Sequence, residues 1–308
     1  MTEIYDLIII GSGPAGMAAA IYAQRAMLKT MVLEKDVPGG QVINTYEVDN
    51  YPGIPDITGF ELSTKMREHA EKLGIEIKSE EVVDLLLDQT VKVVKTTGNE
   101  YQSKAIIMAT GARWKKLGVK GEKELTGRGV SYCATCDGAF FRNMEVAVVG
   151  GGDVAVEDAI FLARMCKKVY LIHRRDELRA VKILQDSLLK HDEDKIKILW
   201  NTELKEVIGK DQVEKISIIN NKTKEESILD IDGLFIGIGT DPNSQLIQDK
   251  VNCDEKGYVL TDDSCQTSVK GVYAAGDIRQ KILRQIITAA ADGATSVYAA
   301  ERYILENF

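Results

Sequence analysis

Residues 4–35 read "IYDLIIIGSGPAGMAAAIYAQRAMLKTMVLEK", and this stretch decides the fold class. An unbroken apolar run leads into a glycine-rich turn, then a helical pattern, then a second apolar run ending at Glu34. Strand, turn, helix and strand in that order, with the turn spelling Gly11-x-Gly13-x-x-Gly16, form a dinucleotide-binding fingerprint. The first glycine permits a tight turn, the second lets backbone approach a pyrophosphate, and the third lets the helix close on the strand. The helix N-terminus then faces the phosphates. Glu34 lies 34 − 11 = 23 residues after the first glycine, where a carboxylate accepts hydrogen bonds from ribose hydroxyls.

The plan occurs twice. Residues 145–175, "EVAVVGGGDVAVEDAIFLARMCKKVYLIHRR", carry Gly150-x-Gly152-x-x-Ala155, the variant with alanine in third place. At the same offset, 173 − 150 = 23, stands His173, followed by Arg174 and Arg175, with Arg179 close behind. A carboxylate repels a ribose 2′-phosphate, whereas arginine pairs with it bidentately. The two copies are therefore expected to bind different dinucleotides, one with a free ribose and one 2′-phosphorylated. A solvated basic strand end is the plainer alternative for the "HRR" run.

Two further apolar strands end in glycine, "AIIMATGARW" (105–114) and "GLFIGIGTDPN" (233–243). Each follows its copy at a distance suited to a three-stranded side sheet that hands the chain out of the domain. The first leads into the second copy, and the second leads to "GVYAAGDI" (271–278). There Gly276-Asp277 suits the ribityl or pyrophosphate part of a flavin. An alanine-rich helical pattern over 283–305 follows and is expected to pack over it. The sequence thus predicts an α/β protein of two Rossmann-like dinucleotide-binding domains, the second nested within the first. Residues 1–113 and 245–308 would form the first, interrupted domain and residues 114–244 the nested one, which the resemblance given below makes the FAD-binding and NADPH-binding domains. The chain would cross between them near 112–118 and 240–246.

Composition sets the bounds. A chain of 308 residues, 44% hydrophobic and 28% charged, is long enough for two cored domains. A formal charge of −8 argues against sequence-independent binding of nucleic acid, which needs a basic surface. The uncharged run 7–20 follows Glu3 and Asp6 rather than Lys or Arg, the wrong sign for a secretory leader, and its glycines and proline make a poor membrane span. A cytoplasmic protein with no membrane or nucleic-acid partner is expected.

Immediately before the second copy lies "VSYCATCDGAFFRN" (130–143), holding two of the five cysteines. Structural zinc needs four ligands, but Cys166, Cys253 and Cys265 are scattered singly, and His69, His173 and His191 lack ligand spacing to the pair. A static disulfide does not suit a reducing compartment. A redox-active Cys133/Cys136 dithiol is favoured over both, because the first thiol of such a pair can have its pKa lowered and attack disulfides. Asp137 is read as a proton donor and acceptor or as a turn carboxylate before Gly138. Phe140 and Phe141 are read as core or as an apolar docking surface.

Gly11 to Gly16, "GGQ" (39–41), "DNYPG" (49–53), "ATGA" (109–112), "CATCDG" (133–138), "GGGDVAVE" (150–157), "HRR" and "AAGDI" (274–278) stand in this order along the chain. Over essentially its whole length the sequence resembles the low-molecular-weight thioredoxin reductases, flavoproteins that use FAD and NADPH. For FAD the resemblance implies Ser12, Pro14 and Ala15 in the first turn, Lys35 beside Glu34, and the segment Gly39, Gly40, Gln41. It adds Asn50, then Ala109, Thr110 and Gly111, then Ile278 after Asp277, and finally Arg284, Gln285 and Ile286. For NADPH it adds Gly151, Asp153 and Val154 in the second turn, with Ile238 and Gly239; no metal is implied. Cys136 would face the flavin, Cys133 would attack the substrate, and Asp137 would move the proton. Electrons would run from NADPH through FAD to the Cys133–Cys136 disulfide, then to thioredoxin or a thioredoxin-like protein. The nicotinamide and the cysteines share the nested domain yet must reach one flavin edge, so rotation of that domain is expected. A homodimer is also implied by the resemblance.

Overall fold

The computed structural model describes residues 3–45 and 47–308. The first apolar run becomes β1 (Ile4–Ile10), with every residue from Leu7 onward buried. The glycine turn starts α1 (Pro14–Arg25), where Pro14 takes the first helical position, whose N–H would have no partner in any case. The second run becomes β2 (Thr30–Glu34). After it come α2 (Gly59–Lys72) and β3 (Glu76–Ser79), with a reciprocal cap between Thr58 and Glu61 opening the helix. A meander of β4 (Val82–Leu86), β5 (Lys92–Thr96) and β6 (Glu100–Met108) completes the first pass.

β7 (Ala112–Trp114) leaves this unit, and β8 (Val130–Ser131) and α3 (Ala134–Asp137) follow. The second copy of the plan forms β9 (Glu145–Val149), α4 (Asp153–Ala163) and β10 (Lys168–Ile172), continued by α5 (Lys182–Leu188) and β11 (Ile196–Leu199). An antiparallel sheet of β12 (Thr202–Ile208), β13 (Lys215–Asn220) and β14 (Glu226–Asp230) precedes β15 (Gly233–Ile236). The chain returns through β16 (Thr240–Pro242), then β17 (Val272–Ala274) and α6 (Ile286–Asn307).

Two compact units result, 1–113 with 241–308, and 114–240. In the first, the sheet runs β3-β2-β1-β6-β5-β4, with β17 also on β6. β6 is long enough for two partners on one edge: Glu100–Ser103 pairs antiparallel with β5, and Ile106–Met108 pairs parallel with β17. The predicted side sheet is therefore continuous with the main sheet here, whereas in the second unit β12-β13-β14 stands apart from β11-β10-β9-β15-β8. The return falls at Asp241, ahead of the 245 read from the sequence. Asn243 explains the shift: it donates from its side chain to the Thr110 carbonyl (2.8 Å) and from its backbone to Gly111, while Thr110 Oγ1 donates to its carbonyl (2.7 Å).

The cores follow the strand patterns. In the first unit α1 and α6 pack on one sheet face with Leu7, Ile9, Val32 and Ile107, while Ile8, Ile10, Leu33 and Ile106 fill the other. The 22-residue α6 lies on α1, in close backbone contact where Gly293 meets Ala15. In the second unit α4 packs through Ala155, Val156, Ala159 and Leu162 onto Val146, Val148 and Phe235.

Candidate redox and dinucleotide sites

In the first unit the fingerprint residues converge. Gly16 lies so close to the Gly11 carbonyl that a side chain there would enter it. Ser12 is fully buried, and its N–H and hydroxyl both donate to one Glu34 oxygen, at 2.8 and 2.6 Å. Glu34 thus braces the turn that sequence reading had it serve only as ribose acceptor. Gly39 donates its N–H to the Ser12 carbonyl, which brings Gly39, Gly40 and Gln41 over the turn, and Gln41 reaches the Ala112 carbonyl. Ala109 donates to the Ile10 carbonyl, placing Ala109, Thr110 and Gly111 beside Gly11. Asn50 meets Gln285 at 3.1 Å, just before Ile286 opens α6.

Gly276 donates to Asp292 on α6 (3.0 Å), and the neighbouring Asp277 is half-buried, its buried Oδ1 lacking a hydrogen-bond partner among the described residues. Burial pushes the Asp277 carboxyl up, opposed by Lys281 and Arg284. Ile278 is fully buried in the core and offers only backbone, whereas Lys35, like Gln41 and Asn50, is exposed. Arg284 lies over the Tyr258 ring, 4.0 Å from its centre.

In the second unit Gly150 packs on Ala155 and on Gly237, which the sequence reading did not single out. Asp153 at the start of α4 accepts from the Val181 N–H (2.8 Å), and Val154 is exposed. Ile238 packs against the core, and Gly239 accepts from the Lys115 N–H. His173 is not a surface ligand. Only 4% exposed, its ring fills the space beside Gly151, and Nε2 bonds to the Glu177 carbonyl at 2.9 Å. Arg174, Arg175 and Arg179 are exposed and line a pocket of ≈ 360 Å³ with Asn201, Asn221 and Lys222. The last three were invisible to sequence reading because they arrive from turns between later strands.

Cys133 and Cys136 are joined in a disulfide at α3. The Asp137 and Cys136 N–H groups both donate to the Cys133 carbonyl. Ser131, which sequence reading missed, donates to Asp137 Oδ2 (2.5 Å) and accepts from the Cys133 N–H (3.0 Å). Burial pushes the Asp137 carboxyl up, and the Ser131 hydrogen bond partly offsets this. Phe141 is half-buried and packs against the core, edge-on to Phe235 at 5.2 Å, whereas Phe140 is 40% exposed.

Comparison with known proteins places the chain in a family. The family of pyridine nucleotide-disulphide oxidoreductases matches residues 5–293. Thioredoxin reductase of Bacillus subtilis (strain 168) is 48% identical over 305 residues, 99% of this chain and 96% of that protein. The chain belongs to the thioredoxin reductases. It is an oxidoreductase, and its family implies a flavin and a pyridine nucleotide. The crystal structure of thioredoxin reductase from Streptococcus pyogenes MGAS5005 covers 100% of both chains at 46% identity and a TM-score of 0.95. That of Lactococcus lactis, in the FR conformation, covers 98% of this chain and 99% of its own at 45% identity and a TM-score of 0.67.

The enzyme's own residues fit both groups. Asp277 Oδ1 is a buried polar atom awaiting a partner, beside glycine backbone that a side chain would obstruct. In the second unit, three guanidinium groups without a carboxylate partner among the described residues suit a phosphate. The redox segment is itself anchored. Buried Glu122 accepts from the Leu117, Gly118 and Val119 N–H groups and from the Tyr132 hydroxyl (2.8 Å). Tyr132, next to Cys133, stacks on Trp114. Burial and Glu122 push its hydroxyl up to about 12. No helix among the described residues is long and apolar enough to cross a membrane.

Proposed function

We propose that the enzyme uses NADPH and FAD to reduce the disulfide of thioredoxin, or of a thioredoxin-like protein, through Cys133 and Cys136. The observation that carries this is the Cys133–Cys136 disulfide with Asp137 tied to it through Ser131. Bound flavin supplies the two-electron transfer between reduced nicotinamide and this disulfide.

The remaining chemistry belongs to the protein. Two electrons and two protons convert the disulfide to a dithiol. The Cys133 thiolate then attacks the partner's disulfide, forming a mixed disulfide and releasing one partner sulfur, which takes up a proton. Cys136, deprotonated, attacks Cys133, restoring the original bond and releasing the second partner sulfur as a thiol. Asp137, its carboxyl raised by burial, can hold and return a proton near neutral pH more readily than an exposed aspartate. In the first unit the Gly11–Gly16 turn, Glu34 and Asp277 would hold FAD. In the second, the Gly150–Ala155 turn and Arg174, Arg175 and Arg179 would hold NADPH.

Rotation of the 114–240 unit between half-reactions belongs to this reading. Two solved relatives of nearly equal identity, 46% and 45%, superpose on the chain at 0.95 and 0.67. The second of these relatives is in the FR conformation, and such a spread at nearly equal identity fits a domain rotation. A cytoplasmic setting suits the three unpaired cysteines, and a homodimer is open to test by sedimentation.

The test is anaerobic NADPH oxidation by the yellow holoprotein with oxidised thioredoxin, run beside Cys133→Ser. We expect turnover of the parent and a loss of about 10³-fold or more in the variant, with flavin reduction by NADPH retained. Flavin reduction without thioredoxin reduction in the parent would leave the cofactor half standing and overturn the substrate half.

A further inference from the structure

The β13–β14 hairpin belongs to neither glycine turn, yet its tip reaches the arginine pocket. Asn220 Oδ1 accepts from the Lys222 and Thr223 N–H groups, both at 3.0 Å, closing the tip as a side-chain-stabilised turn. Three hydrogen bonds then tie this tip to the strand end that carries the arginines. Asn201 donates its N–H to the Arg175 carbonyl (3.0 Å), and Asn221 donates its N–H to Asn201 (2.7 Å). The Asn221 side chain donates to the Arg174 carbonyl (2.6 Å). The position of Lys222 relative to Arg174 and Arg175 is therefore set by backbone and amide bonds rather than by a free loop.

The pocket holds four cations, Arg174, Arg175, Arg179 and Lys222, and two acids, Asp176 and Glu177. Lys222 alone among the four has an ion-pair partner in the described residues: its Nζ lies 2.7 Å from Asp176. Both side chains are exposed, at 60% and 67%, so the pair is screened and held weakly. A 2′-phosphate carries more charge than a carboxylate and offers three acceptor oxygens, so it competes for the same ammonium group. The long, flexible lysine stem permits the exchange. A nucleotide with a plain 2′-hydroxyl has nothing to exchange, and Lys222 stays on Asp176.

We infer that Lys222 is a fourth phosphate-recognising residue of this pocket, held by Asp176 in the free protein and passed to the 2′-phosphate on binding. The inference rests on the reading of the pocket as the NADPH site and names a specificity residue that neither glycine motif contains. Asp176 acts as a gate on it, keeping the ammonium away from nucleotides that lack the phosphate.

The experiment compares Lys222→Met, Lys222→Arg, Asp176→Asn and Arg175→Gln holoproteins. KM is measured for NADPH and NADH, and adenosine 2′,5′-bisphosphate binding is followed by calorimetry. Lys222→Met should lower the NADPH-over-NADH preference and the bisphosphate affinity about three- to tenfold, less at high salt. Lys222→Arg should keep most of both. Asp176→Asn should tighten bisphosphate binding, and that gain should shrink in the Lys222→Met background. An unchanged preference in Lys222→Met beside a collapsed one in Arg175→Gln would overturn the role of Lys222 and leave the pocket reading intact. If Arg175→Gln also left the preference unchanged, both readings would fall.

Discussion

The two glycine turns solve one packing problem in opposite ways. In each copy a residue of the turn touches the residue at the end of the second strand, 22 positions later. The first copy places Ser12 against Glu34, and the contact is a pair of hydrogen bonds from a fully buried serine. The second copy places Gly151 against His173, and the contact is an imidazole ring filling the room that a serine side chain would need. The strand-end position therefore serves the fold in both copies. On the proposed reading, what differs is where charge for a ligand is carried: on the strand end itself in the first, in the loop beyond it in the second. There His173 is buried against the turn, while Arg174, Arg175 and Arg179 are exposed beyond it.

The comparison can be broken most forcefully at Gly16. A methyl group there enters the Gly11 carbonyl, so Gly16→Ala should cost more than about 3 kcal/mol and abolish flavin retention. At Gly151 the obstacle is a side-chain ring that can shift, so Gly151→Ala should melt nearer the parent. Thermal unfolding of both variants decides, and equal losses would refute the distinction.

Next in size is Glu34. Glu34→Ala leaves the buried Ser12 N–H and hydroxyl without an acceptor, a loss of about 1–3 kcal/mol seen in denaturant unfolding, with faster flavin release. The exposed pair Arg174→Gln and Arg175→Gln should change stability by less than about 0.5 kcal/mol while lowering the preference for NADPH over NADH. If the arginine changes unfolded the protein and Glu34→Ala did not, the division of roles would be reversed.

The smallest effect depends on pH. Eight residues after the first glycine, α1 has fully buried Ala19, whereas α4 has Asp158, whose carboxyl burial and the neighbouring Glu157 push up to about 7. The folded form then binds a proton more tightly than the unfolded chain. Stability should fall as pH rises from the ordinary value of 3.8 through about 7, with the full burial penalty present above that. Asp158→Asn should therefore raise Tm at pH 8.5, and its advantage should shrink as pH is lowered toward 5. A Tm difference independent of pH would sink this account.

Local pattern carried much of this structure. Strands β1, β2, β9 and β10, helices α1 and α4, and the long α6 were legible because apolar runs and glycine spacings act over a few residues. So was the Cys133–Cys136 pair, which lies within one turn. Ser131, Glu122 and Lys222 were not. Ser131 matters through a hydroxyl shared between Asp137 and Cys133, and Glu122 through four donors gathered from residues 117–119 and 132. Neither leaves a spacing signature. The return at Asp241 was missed for a similar reason, since the Asn243–Thr110 hydrogen bonds join residues 133 apart.

By itself the sequence determined that two dinucleotide turns exist, that they differ in charge at one offset, and that a redox pair precedes the second. These are properties of short segments, whose conformations follow from backbone freedom and side-chain polarity near at hand. Only the tertiary structure decided that His173 is a spacer, that the arginine loop receives Lys222 from a distant hairpin, and that Glu34 braces its own turn. Each of those depends on which groups lie next to one another across the fold, where a buried donor must find an acceptor and a ring must find room.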